Sequence, residues 1–224
     1  MERRNRFRWP DLARRTLEGW VRHLTARWTC PRVAYSDPET DDRAVRIGKT
    51  CPNCVCERFS VGRYGTPGRV DPSEILYSVL IAPGDLKNDQ IAITLITHAE
   101  RKGMSVLREA ASDEEFKSIV KARIKNPDQS FHGVAHVRCG DVQSLRAKES
   151  DQQRSSGDRL YYVLDTDIDG LPNHADIFAT VPRPHEKNSH KAAWRKDREK
   201  LLELMLKEFS TSDQFRNGAL LQTD

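Results

Sequence analysis

Four short apolar runs, Ile75–Ile81, Gly133–Arg138, Leu160–Leu164 and Ile177–Val181, most constrain what this chain can become. Each has strand length and is rich in β-branched or aromatic residues, and turn-forming residues punctuate the chain between them, the pattern of buried or half-buried β-strands. The segments between them read as helices. Asp89–Lys102 has helical spacing and is closed by Gly103, where a left-handed C-cap is expected. Ser112 and Glu115 form a capping box ahead of Phe116, Ile119, Val120 and Ile124, and Asn126-Pro127 ends that helix. Ser105–Leu107 predicts a short strand, Asp141–Ala147 a short helix, and Ser150–Asp158 a polar loop. A long helix from about Ser189 to Phe209 places Trp194, Leu201, Leu202, Met205 and Phe209 on one side, with a frayed tail over 210–224. Because strands and helices alternate imperfectly, the expected class is α+β, a small mixed sheet with helices on one face.

Ahead of this core, residues 11–28 set Leu17, Trp20, Val21, Leu24 and Trp28 at helical spacing, an amphipathic helix. Residues 31–50 lack apolar periodicity and read as an exposed loop, and the Gly62–Gly68 stretch punctuates the chain. Three segments follow: 1–68, a basic helix and cysteine-rich knuckle; 69–182, the α+β core; 183–224, a basic C-terminal helix and tail. At 224 residues the chain is long enough to bury a core without disulfide staples. No apolar run approaches the ~20 residues of a membrane span. No apolar stretch follows the Arg-rich start, as a secretory signal would require, so a cytoplasmic setting is expected.

The cysteines point to metal chemistry. Cys51-Pro52-Asn53-Cys54 has the two-residue gap that wraps both sulfurs around one tetrahedral ion, with Cys56 and the upstream Cys30 completing a candidate zinc set and His23 as a substitute ligand. Such a closed site is structural. Cys139, at a strand end, reads as a core thiol and not a nucleophile.

A second candidate lies in Asp165-Thr166-Asp167-Ile168-Asp169-Gly170-Leu171-Pro172-Asn173-His174-Ala175-Asp176, with carboxylates at positions one, three, five and twelve and glycine at six. These twelve residues resemble the calcium loops of thrombospondin type-3 repeats and, more loosely, of dockerins, which implies oxygen ligands folded around Ca²⁺. Those families carry such loops in tandem or pairs in extracellular proteins, whereas here one copy lies between strands. An exposed turn is therefore the expectation, and calcium or magnesium is not expected. The alternative is a metal-dependent hydrolase or nuclease using Asp165, Asp167, Asp169 and Asp176 with His174, and His132 or His136 as base.

The net charge of +4 is unevenly spread. Residues 1–28 hold eight arginines against three acids and residues 182–200 hold seven Lys/Arg against three acids, flanking an acidic middle. Arg3, Arg4, Arg6 and Arg8 interleave with Phe7 and Trp9, and Lys187, Lys191, Arg195 and Lys196 form a second cluster; both compositions suit phosphate contact. With no Walker loop, dinucleotide fingerprint, nucleophile elbow, kinase set or zinc-protease motif in the sequence, the expected function is a non-catalytic binding or accessory protein contacting nucleic acid or a larger protein partner.

Overall fold

The computed structural model describes residues 43–50, 57, 67–88, 90–148, 156–166, 171–180 and 191–215. Its frame is a six-stranded sheet in the order β6-β7-β4-β1-β5-β8. The strands are β1 (Ile75–Ala82), β4 (Met104–Arg108), β5 (Ser130–Arg138), β6 (Tyr161–Asp165), β7 (His174–Ala179) and β8 (Glu208–Thr211). Leu86–Lys87 (β2) and Gln90–Ile91 (β3) form a separate two-stranded ribbon. The helices are α1 (Arg43–Thr50), α2 (Asp113–Arg123), α3 (Cys139–Ser144) and α4 (Lys191–Lys207), with a 3-10 helix over Leu95–Glu100.

The α+β class holds, but two details of the sheet differ from expectation. Every pairing among the described strands is antiparallel, so the sheet is not mixed. Helices also cover both faces. Because side chains alternate along a strand, Leu76 and Leu80 of β1 point one way and Tyr77, Val79 and Ile81 the other. The first set joins Met104, Val106, Ala135, Val137, Val163 and Ile177 in a core closed by the 3-10 helix, α3 and α4. The second packs with Leu107, Val134 and Phe215 under Phe116 and Ile119 of α2. Leu201 and Met205 are fully buried, so α4 shares the core of the segment before it.

Other departures have local causes. The stretch expected as a helix over Asp89–Lys102 is β3 followed by a 3-10 turn, since Ile93, Thr94, Ile96 and Thr97 are β-branched and lose side-chain freedom in an α-helix. Gly103 does take the left-handed conformation at φ +92°. Within the expected loop 31–50, Arg43–Thr50 is helical, with Ala44 and Ile47 buried on one side; two anchors one turn apart are too few to register as a period. The short helix begins at Cys139 and ends at Ser144, earlier than the expected Asp141–Ala147. The C-terminal helix stops at Lys207, and Phe209 and Ser210, expected in helix and tail, instead pair with β5 as β8. The capping box forms as the sequence indicates, Glu115 N donating to Ser112 Oγ and Ser112 N to Glu115 Oε2. The N-terminal helix and the cysteine knuckle lie outside the described residues. No helix among the described residues is long and apolar enough to cross a membrane.

Candidate functional site

On the α2 side of the sheet, β4, β7 and β6 bring four polar side chains together. Register explains how. Ser105 pairs with Asp176 and Leu107 with His174 across β4–β7, while Leu164 pairs with Asp176 across β6–β7. Directly opposed residues share a face, so Ser105, His174 and Asp176 project to the same side, joined by Thr166 just past the end of β6.

The hydrogen bonds run in one line. Ser105 Oγ lies 2.6 Å from His174 Nε2, and His174 Nδ1 lies 2.8 Å from Thr166 Oγ1. Thr166 Oγ1 in turn donates to Asp176 Oδ2 at 2.9 Å. The carboxylate at the end orients every proton. An ionised carboxylate only accepts, so the single Thr166 proton is committed to Asp176 and Thr166 Oγ1 must accept from His174 Nδ1–H. A neutral imidazole carrying its proton on Nδ1 has a bare Nε2, which accepts the Ser105 proton. With His174 neutral the order is Ser105 to His174 to Thr166 to Asp176, a hydroxyl hydrogen-bonded to a base that a third group orients.

Access is confined to one end. His174, Thr166 and Asp176 are buried, whereas Ser105 is exposed. The surroundings hold this geometry. Gly103, in its left-handed conformation, leaves open a position where a Cβ would come within 2.7 Å of Phe178 Cζ and 3.0 Å of Asp176 Oδ1. The turn before His174 is clamped by Glu115, whose Oε1 accepts from Asn173 N at 3.0 Å and whose Oε2 accepts from Asn173 Nδ2 at 2.8 Å. Arg108 N donates to Asn173 O at 2.8 Å.

The aspartate loop does not gather its carboxylates. Asp165 pairs with Ala175, one residue out of phase with Asp176, so the two belong to opposite faces of the sheet. Asp165 Oδ1 lies 3.8 Å from Arg108 Nη1, among the buried groups around an arginine that also forms two hydrogen bonds to Glu74 and donates to Gly68 O and Arg69 O. The pair Asp165 and Asp176 thus does not converge on one ion, and Asp167 and Asp169 lie outside the described residues. Asp176 is a strand residue, not part of an exposed turn. Among the described residues, no group of three or more His, Cys, Asp or Glu side chains is placed to hold a metal.

No protein-family model, curated protein or solved structure matches this chain.

The remaining candidates sort by environment. His136 stands edge-on to Tyr77 and Phe215, and His132 stacks on Phe209, so neither joins the Asp165 or Asp176 groups. Cys139 is fully buried, which pushes its thiol pKa up to about 12 and keeps it protonated, consistent with a core thiol. On α4, Arg195 and Lys196 are exposed, with Arg195 paired to Glu199 one turn on at 2.9 Å. Arg198 is committed to Glu100. Lys191 begins α4, while Lys187, Arg3, Arg4, Arg6, Arg8, Cys30, Cys51, Cys54 and Cys56 lie outside the described residues.

Sequence reasoning passed over Ser105 and Thr166. A weak signal was present: His174 and Asp176 alternate with Ala175 and Ile177, period-two spacing that marks one polar stripe on a strand, and Ser105 interrupts an otherwise apolar run.

Proposed function

We propose that this protein is an acyl-transfer or ester-hydrolysing enzyme in which Ser105 is the nucleophile, His174 its general base, and Thr166 with Asp176 the groups that hold the imidazole in its base-competent tautomer. The observation that carries this reading is the 2.6 Å contact between an exposed hydroxyl and a buried imidazole whose other nitrogen is already committed. Labelling with a fluorophosphonate tests it directly. One adduct per chain is expected, on Ser105, lost in Ser105→Ala and strongly slowed in His174→Gln. Adducts scattered over several serines, or none, would refute the assignment.

A second reading retains a binding role for nucleic acid or a larger partner. It is favoured by α4, which Leu201 and Met205 anchor in the core while Arg195 and Lys196 stay exposed. Its signature is affinity for DNA or RNA that falls steeply with added salt and weakens in Arg195→Ala/Lys196→Ala; a salt-independent interaction would count against it. In either case a structural zinc held by Cys30, Cys51, Cys54 and Cys56 is proposed from their spacing.

A further inference from the structure

Three elements lie side by side and share one sign of charge. The Arg198 guanidinium donates to both carboxylate oxygens of Glu100, which sets α4 against the end of the 3-10 helix. The turn that follows, Arg101–Lys102, receives the start of α1: Ala44 N donates to Arg101 O at 2.7 Å and Arg43 Nη1 to Lys102 O at 3.5 Å. Ala44 and Ile47 form the buried side of α1. Arg43 and Arg46 each precede one of them and so share a flank, and the Arg43 contact shows that this flank adjoins the turn. Arg101 and Lys102 are exposed, and Arg43 and Arg46 are half-buried. On α4, the exposed Arg195 stands three residues before Arg198 and so on the same side of the helix. Of the acids described here, Glu100 is buried and matched by Arg198, and Glu199 is matched by Arg195. Glu203 lies a further turn along, toward the C-terminal end of α4. The surface formed by the flank of α1, the turn and the start of α4 therefore carries an excess of cations.

We infer that this surface grips the phosphate backbone of nucleic acid, which runs from the flank of α1 over the Arg101–Lys102 turn to the exposed side of α4. This rests on the second reading above and adds where the ligand lies and which part of it is held. Charge complementarity selects the occupant. Most of these cations are arginines, whose guanidinium presents parallel N–H donors that match two oxygens of one phosphate. A lipid surface would call for apolar side chains able to enter it, and among the described residues the large apolar side chain most exposed, Leu206, sits at the far end of α4. A protein partner is held chiefly by buried aromatic and apolar anchors, and the side chains of this patch are charged. Phosphates are presented alike by every sequence, so binding here is independent of sequence, and each phosphate neutralised releases counterions.

The test is fluorescence anisotropy of the full chain with two labelled DNA duplexes of equal length and unrelated sequence, over a series of salt concentrations. The two affinities are expected to agree within about threefold. Arg101→Ala/Lys102→Ala leaves the backbone hydrogen bonds of the turn in place. It should weaken binding at least tenfold at ~0.1 M salt and lessen the slope of log K against log salt by about 2. Arg101→Gln alone, expected to lessen the slope by about 1, serves if the double variant folds poorly. Lys117→Ala/Lys121→Ala removes the same charge from the exposed side of α2 and should change the affinity less than twofold. An unchanged affinity in Arg101→Ala/Lys102→Ala beside a loss in Arg195→Ala/Lys196→Ala would overturn the inference and leave the second reading standing. An equal loss in the α2 variant would do the same. A strong preference for one duplex, or polyglutamate competing as well as DNA at equal charge, would overturn the assignment to phosphates. No binding to duplex DNA, single-stranded DNA or RNA would instead overturn the second reading itself, and the inference with it.

Discussion

Asp176→Asn isolates what the buried carboxylate contributes, because it removes a charge while nearly preserving shape. When His174 takes the serine proton it becomes a cation, and its Nδ1 lies 3.8 Å from Asp176 Oδ2. At an effective dielectric of 20, two unit charges at that separation attract by about 4 kcal/mol, which corresponds to roughly 10³-fold in rate. The carboxamide oxygen can still accept from Thr166, so the hydrogen-bond line need not break. If the amide rotates and donates instead, Thr166 turns its proton toward Nδ1, Nε2 becomes the protonated nitrogen, and the loss grows; a comparable exchange in serine-protease triads costs about 10⁴-fold. The assay is the pseudo-first-order rate of fluorophosphonate incorporation at Ser105 by intact mass, with a thermal melt to confirm folding. A fall of about 10³-fold in a folded variant is expected. A rate within threefold of wild type would mean that Asp176 supports the sheet and not the nucleophile, and the reasoning would fail.

Other perturbations reach different parts of the molecule. Arg108→Met should destabilise by about 3–5 kcal/mol in urea unfolding, because it leaves Glu74 and the fully buried Asp165 side chain without their cation; a loss under 1 kcal/mol would show that these carboxylates are satisfied otherwise. Burial lowers the His136 pKa from its ordinary 6.5, with Glu208 opposing, so the folded state binds fewer protons than the unfolded one between the two values. That contribution to stability is complete above pH 6.5 and is lost as the pH falls from there toward the folded value. The melting temperature of His136→Phe, which keeps an aromatic ring beside Tyr77 and Phe215, should therefore depend less on pH between about 7 and 5 than that of wild type; identical slopes would refute this. Elemental analysis of purified protein is expected to find one zinc per chain, lost in Cys51→Ser/Cys54→Ser, and a folded zinc-free wild type would reject the knuckle. Millimolar Ca²⁺ or Mg²⁺ should leave the melting temperature unchanged, since Asp165 and Asp176 belong to opposite faces; a rise abolished by Asp165→Asn would show otherwise.

Much of the fold was legible because its signals are local. The Ser112/Glu115 capping box, the left-handed Gly103 and the apolar run of β1 each depend on residues a few positions apart, and each forms as the sequence indicates, although the helix Gly103 was expected to close is a strand and a 3-10 turn. The start of β7 was not legible. His174 and Asp176 are polar and lie beside a Pro-Asn turn, so composition assigns them to a loop, whereas pairing to both β4 and β6 makes them a buried strand. Strand β8 is concealed for a similar reason: the Glu208–Thr211 backbone is drawn off the end of α4 by hydrogen bonds to β5, far away in sequence.

The candidate site belongs almost wholly to the second category. The sequence by itself determined that His174 and Asp176 are two residues apart, which on a strand puts them on one face. It also determined that Asp165 and Asp176 are separated by a turn able to join two strands. That Ser105 falls opposite Asp176, and that Asp165 falls opposite Ala175 and so is parted from Asp176, follow from the registers of β4 and β6 against β7. A slip of one residue in either pairing would send the partner side chain to the other face of the sheet. Register is set by the burial of both faces at once, so only the assembled sheet decides which hydroxyl meets the imidazole.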